Sequence, residues 1–176
     1  MSKILEHIKA NIAIYVIIIV TIVLSYIIAF KPFTKTTPST MEEIEYDTSM
    51  FNVVDLDGAN DIFSSNQNQL LFIGRKTCSV CQQFIKSLQI AISRDDFYVS
   101  YLDLESIDTS TEAYQEFVSK LDYEYTYDTV TAPFGEFMGA TPMIIIVKNN
   151  KMVFGVLGSL SSDSILTIVN QYGINK

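Results

Sequence analysis

Leu70-Leu-Phe-Ile-Gly74-Arg-Lys-Thr-Cys78-Ser-Val-Cys81 is the stretch that decides the fold. Four apolar residues ended by a glycine describe a buried strand that stops abruptly. After three turn residues, Val80, Phe84, Leu88 and Ala91, with Cys81, Ile85 and Ile92 beside them, recur at the spacing of one helix face. The two cysteines therefore sit at a strand–turn–helix junction, Cys78 at the helix N-terminus and Cys81 one turn inside. Unpaired backbone N–H groups and the positive end of the helix dipole favour a thiolate at Cys78. Arg75 and Lys76 add positive charge just upstream. Cys81 lies on the same face, near enough to bond to Cys78. Cys78 would attack a disulfide, and Cys81 would resolve the mixed disulfide. Two helix cysteines three apart can also be plain core residues, or half of a zinc or iron site shared across a dimer. The chain has only these two cysteines and one histidine, His7. A closed structural zinc site wants about four such ligands. A redox pair is the reading that uses the junction.

Outward from the motif, strands and helices alternate. Met50 to Val54 reads as a short strand and Leu56 to Ser65 as a short helix. Phe97 to Leu104 reads as a strand, and Ala113, Tyr114, Phe117, Val118 and Leu121 mark a helix. Residues 122–140 read as a long loop. Met143 to Val147 and Met152 to Leu157 form a hairpin turned at Asn149-Asn150. Ser161 to Asp163 cap a last helix through Ile165, Ile168, Val169 and Tyr172. The order β-α-β-α-β-α-β-β-α is that of a mixed α/β sheet flanked by helices.

That order, with a C-x-x-C after its second strand, resembles the thioredoxin fold over residues 50–176. Thr141-Pro142, just before the strand from Met143, stands where thioredoxin-like proteins place a cis-proline facing the C-x-x-C. The resemblance implies that Pro142 is cis and that the backbone of Thr141 pairs with an extended substrate peptide. Within the superfamily, Phe72-Ile-Gly-Arg-Lys-Thr-Cys-Ser-Val-Cys-Gln-Gln-Phe84 is similar to the bacteriocin transport accessory proteins of Gram-positive bacteria. These are thought to assist the disulfide chemistry of exported peptides. Some features depart from ordinary thioredoxins. Thr77 stands where they have a Trp before the first cysteine, and Ser79-Val80 separates the cysteines. Phe72 stands where they hold a buried acid. Deprotonation of Cys81 during resolution therefore needs water or another group.

The rest of the chain says where such a domain works. Mean hydropathy is +0.24 although the pI is near 4.5. The pairing is resolved by uneven distribution. Ala10 to Phe30 contains no charged side chain, and a helix of that length spans roughly 31 Å, the thickness of a bilayer core. The run is too long, and lacks the small-x-small end, for a cleaved signal peptide. We therefore expect a short tail over 1–9, a transmembrane anchor over 10–30, a Pro- and Thr-bearing tether over 31–49, and a thioredoxin-like domain over 50–176. Lys3 and Lys9 precede the span and Lys31 and Lys35 follow it, so positive charge does not orient it. The short tail is expected inside and the domain outside the cytoplasm.

Residues 36–176 keep 8 of the 12 basic and 19 of the 20 acidic residues, a formal charge of −11. Such a domain repels nucleic acid phosphates. Asp122-Tyr-Glu-Tyr-Thr-Tyr-Asp128 reads as a solvated surface loop, or as a rim that receives a cationic peptide. Together these features describe a single-pass, extracytoplasmic thiol–disulfide oxidoreductase. It needs no organic cofactor or metal. Its expected partners are an exported polypeptide, for which a bacteriocin is a candidate, and a membrane or small-molecule redox partner. Its site residues are Cys78 and Cys81 for catalysis and Thr141 and Pro142 for substrate binding. The alternative is a non-catalytic thioredoxin-fold scaffold of a membrane export complex.

Overall fold

A computed structural model describes residues 16–23 and 46–174. Contacts divide the chain into two units, Met1–Glu43 and Ile44–Lys176. In the first, residues 16–23 are helical. Among the described residues no helix is long and apolar enough to cross a membrane. Most of the expected anchor over 10–30, the tail over 1–9 and the tether over 31–45 lie outside the described residues.

In the second unit, β1 (Asn52–Val54), β2 (Gln69–Gly74), β3 (Val99–Asp103), β6 (Met143–Lys148) and β7 (Lys151–Leu157) form one sheet in the order β1-β3-β2-β6-β7. β1 and β2 run parallel to β3, and β6 runs antiparallel to both β2 and β7. Around it lie α1 (Leu56–Ile62), α2 (Ser79–Arg94), α3 (Glu112–Ser119) and α4 (Ser162–Tyr172). This is the mixed, helix-flanked α/β architecture expected from the sequence.

β2 is an uninterrupted apolar run because it lies at the centre of the sheet, covered on both faces. Strand alternation sends Leu70 and Phe72 into the core under α2 and α4, and Leu71 and Ile73 into the core on the other face. Phe72 has no exposed surface and stacks edge-on against Phe84 of α2 at 5.3 Å. A phenyl buried this completely stabilises the fold by about 2–3 kcal/mol. The helices start where side chains cap them. Asp55 accepts from Gly58 N, Thr111 from Tyr114 N and Ser161 from Ser164 N. Asn149 and Asn150 both take positive φ, as the tight β6–β7 turn requires.

The structure corrects the sequence reading in two places. The expected loop over 122–140 contains a second, two-stranded sheet, β4 (Glu124–Tyr127) antiparallel to β5 (Val130–Pro133), and then a 3-10 turn over Phe134–Phe137. Tyr, Thr and Val favour extended backbone, and Asp128 at φ 56° allows a two-residue turn. Phe134 is fully buried, and a Cβ on Gly135 would stand 2.6 Å from the Val118 carbonyl, so only glycine lets the turn press onto α3. The second correction concerns the end of the expected tether. Tyr46 and Asp47 pack on the domain: the hydroxyls of Tyr46 and Tyr101 are 2.8 Å apart, and Gln89 Nε2 donates to the Asp47 carbonyl at 3.1 Å.

Candidate functional site

β2 ends at Gly74, and the chain turns through Arg75, Lys76 and Thr77 before α2 begins. Cys78 N donates to the Arg75 carbonyl at 3.2 Å, which closes the turn. Cys78 is itself the helix N-cap: its backbone is extended, and its Sγ accepts from Cys81 N at 3.2 Å. The expected helix-terminus thiol is therefore placed as the first acceptor of the helix's own unpaired N–H groups. Cys78 is partly exposed and Cys81 has no exposed surface; both are free thiols.

The two thiols are pushed in opposite directions. At Cys78, burial raises the pKa. Hydrogen bonds from the Cys81 thiol, the Thr141 side chain and the backbone N–H groups of Cys81 and Val80 outweigh it, and the net shift is downward. At Cys81, burial and the hydrogen bond to Cys78 push the thiol up to about 11. Hydrogen bonding to the ionised sulfur, rather than a nearby cation, is what lowers Cys78. The expected help from Arg75 is directed elsewhere. Its Nε donates to Thr141 Oγ1 at 3.3 Å and its Nη2 to the Gly139 carbonyl at 3.0 Å.

Arg75 thus fastens the cysteine turn to the segment that faces it. The Thr141–Pro142 peptide bond is cis. The Thr141 carbonyl accepts from Cys78 Sγ at 3.4 Å, and the Pro142 carbonyl accepts from Gly158 N at 2.8 Å. The four residues singled out from sequence, Cys78, Cys81, Thr141 and Pro142, therefore meet at one end of the sheet. A partly exposed sulfur thus lies one helical turn from a buried one, with the Thr141 carbonyl in hydrogen-bonding reach.

Residues without a motif complete the surroundings. Glu105, in the 3-10 turn after β3, accepts from both the backbone N–H (3.3 Å) and the hydroxyl of Thr77. Gln82 Nε2 donates to the Lys76 carbonyl at 2.9 Å. Tyr46 and Tyr101 share the core cluster that contains Cys81. No spacing rule points to these contacts. Among the described residues no three His, Cys, Asp or Glu side chains gather to hold a metal ion. A cavity of about 320 Å³ opens at the other end of β2 and β3, lined by Asn52, Asn68, Gln69 and Ser100 among others. No cysteine lines it.

No family model matches the chain, and no curated protein matches it. Solved structures do. Chloroplastic thioredoxin z matches at 14% identity and a TM-score of 0.48, over 70% of this chain and 94% of that one. Thioredoxin-2, described as a component of malaria parasite protein secretion machinery, matches at 16% and 0.42, over 61% and 84%. Thioredoxin from Aeropyrum pernix matches at 12% and 0.46, over 67% and 83%. At such values they carry nothing about what this chain acts on.

Proposed function

We propose that the chain is a thiol–disulfide oxidoreductase, and that the observation carrying this reading is the opposed pair of thiols. Cys78 is lowered, partly exposed and capped by helix N–H groups. Cys81 is buried, raised and within the same turn. The Cys78 thiolate attacks one sulfur of a substrate disulfide, and the other leaves as a thiolate. Cys81 then attacks Cys78 Sγ, forms the Cys78–Cys81 disulfide and releases the second substrate thiol. Run backwards, the same steps oxidise a substrate dithiol. Next to the thiols, the backbone of Thr141 before cis-Pro142 offers an edge for an extended peptide.

The uncharged run over 10–30 supports a membrane anchor for this domain. A lone C-x-x-C is better employed on disulfides outside the cytoplasm than inside it. Exported polypeptides, bacteriocins among them, are the substrates in this reading. The redox partner is a membrane or small-molecule thiol carrier.

Two substitutions test the chemistry. Cys81→Ser removes the resolving thiol, so mixed disulfides through Cys78 accumulate and are seen as adducts on non-reducing gels. In Cys78→Ser they are absent. Full biological activity of the double serine variant would overturn the enzyme reading in favour of a scaffold. Titration of the pair against glutathione sets the direction: about −120 mV marks an oxidant and about −270 mV a reductant. Protease shaving of intact cells that spared residues 46–174 would overturn the extracytoplasmic placement.

A further inference from the structure

The loop that leads into cis-Pro142 has few ties of its own. Gly139 and Ala140 are exposed, and Thr141 is half-buried. Ahead of it, Ala140 N donates to the Phe137 carbonyl at 3.1 Å; behind it, the Pro142 carbonyl accepts from Gly158 N at 2.8 Å. Among the described residues, the other hydrogen bonds to Gly139, Ala140 and Thr141 come from the cysteine turn. Cys78 Sγ makes one of them, and the Arg75 side chain makes the rest.

Arg75 suits this task by its shape. Its Nε donates to Thr141 Oγ1 at 3.3 Å while its Nη2 donates to the Gly139 carbonyl at 3.0 Å. A guanidinium is planar and its donors stand at a fixed spacing, so it can hold two acceptors at once, whereas an ammonium acts as a point charge. Gly139 sits at φ 108°, a left-handed conformation that glycine takes without strain, so the loop can present its carbonyl to the fork. At its other end Arg75 belongs to the turn itself, where its carbonyl accepts from Cys78 N at 3.2 Å. Both acceptors of the fork are neutral, and among the described residues no carboxylate lies within ion-pair distance of the guanidinium. We propose that Arg75 is a positioning residue: its fork holds Gly139 and Thr141 as the edge that receives an extended peptide, beside Cys78 Sγ.

Among the described residues the Thr141 N–H has no partner, so a donor on this edge is open to a peptide carbonyl. With the fork in place the edge is formed before the substrate arrives. Without it, Gly139 to Thr141 must be ordered by the peptide itself, and that cost is drawn from binding. The guanidinium makes no hydrogen bond to either sulfur, and its loss leaves the Cys81 N–H that caps Cys78 in place. Arg75 therefore distinguishes disulfides by what surrounds them. A disulfide flanked by peptide backbone uses the edge. A small disulfide without a backbone reaches Cys78 without it.

This inference rests on the oxidoreductase reading, and one experiment separates the two. The full reduced chain in detergent micelles is mixed at neutral pH with a peptide disulfide or with dithiodipyridine, a small disulfide without a backbone. Consumption of the reduced protein is followed after acid quenching. In each case the Cys78 thiolate bonds to one sulfur, and the other leaves with the electron pair of the broken bond. In Arg75→Met the half-saturating concentration of the peptide disulfide rises roughly tenfold, the range of one lost charge-assisted hydrogen bond. Its limiting rate, and the rate with dithiodipyridine, stay within about twofold of wild type. Arg75→Lys keeps the charge, loses the fork and shows the same rise. Thr141→Val keeps the backbone but deletes the Oγ1 acceptor; it raises the half-saturating concentration about threefold alone and by less in the Arg75→Met background. A wild-type half-saturating concentration in Arg75→Met overturns the proposal. So does its restoration in Arg75→Lys, which marks Arg75 as a source of charge only. Full additivity of the Met and Val effects overturns it as well, and so does an equal loss with both disulfides, which marks a structural role. If the wild-type chain consumes neither disulfide, the oxidoreductase reading falls and this inference falls with it.

Discussion

The segment from β2 into α2 and the β4–β5 hairpin are built on opposite terms. In the first, Leu70 to Gly74 are buried, and the Cys78 sulfur is held by a backbone N–H of its own helix. In the second, Glu124, Thr126, Tyr127, Asp128, Val130 and Thr131 are exposed. The hairpin is held at its root. The Tyr125 ring packs edge-on against Phe134 at 5.1 Å and Phe137 at 5.7 Å, and its hydroxyl accepts from Leu157 N at 3.4 Å. Leu157 pairs with Met143, the residue after Pro142. The two cysteines thus sit on an element that cannot move without unpacking the core. The hairpin is anchored beside that site but free to present its outer face. Rigidity belongs where atoms react, and tolerance belongs where a variable partner is met.

The largest expected effect tests the rigid side. Reduced protein is treated briefly with iodoacetamide across a pH series, and the modified peptides are mapped by mass spectrometry. Cys78 reacts first, with a rate that climbs with pH through a pKa below its ordinary value. Cys81 stays protected until the pH approaches about 11. Because that value lies two units above an ordinary thiol at 9.0, the thiolate fractions differ by at least about a hundredfold at neutral pH. Equal labelling would mean that the helix terminus does not divide the two sulfurs.

The hairpin side is tested next through its root. Gly135→Ala places a methyl group 2.6 Å from the Val118 carbonyl, a backbone atom that cannot swing aside. We expect a loss of about 1–3 kcal/mol in urea unfolding. Iodoacetamide labelling of Cys78 in the folded protein is expected to stay unchanged. A parallel loss of Cys78 reactivity would show that the two regions are one mechanical unit, not two.

The same contrast explains what was legible beforehand. A central strand must be continuously apolar, and Gly74 and the helical spacing of Val80, Phe84, Leu88 and Ala91 punctuate it, so the cysteine junction is written locally. The hairpin has four-residue strands and a turn without glycine. Acidic residues alternate with tyrosines along it, and these also suit a solvated loop. Its apolar anchor, Phe134, lies beyond its second strand. The partners of the cysteine turn are hidden for another reason. Arg75 reaches Thr141 across 66 residues, Tyr46 meets Tyr101 across 55, and Glu105 holds Thr77 across 28. Such contacts follow from sheet order and register, which periodicity along the chain does not encode.

The smallest effect bears on whether the hairpin meets substrate at all. Between Lys120 and Lys148 there is no Lys or Arg, while Asp122, Glu124, Asp128 and Glu136 are present. The first three lie on or beside the exposed hairpin. A cationic peptide held at Thr141 would pass within reach of this charge, and a neutral one would gain nothing from it. Exposed pairs of this kind are worth up to about 1 kcal/mol each, and salt screens them within about 10 Å at 0.1 M. The triple variant Asp122→Asn, Glu124→Gln, Asp128→Asn should therefore raise KM for a lysine-rich peptide disulfide by about threefold to tenfold at low salt, with kcat unchanged. The difference should vanish in high salt and be absent for an uncharged peptide. If KM rises equally for both peptides, the hairpin acts through the shape of the cis-proline loop. If KM does not change, the acidic face is a solvated surface, and substrate selection belongs to the rigid side alone.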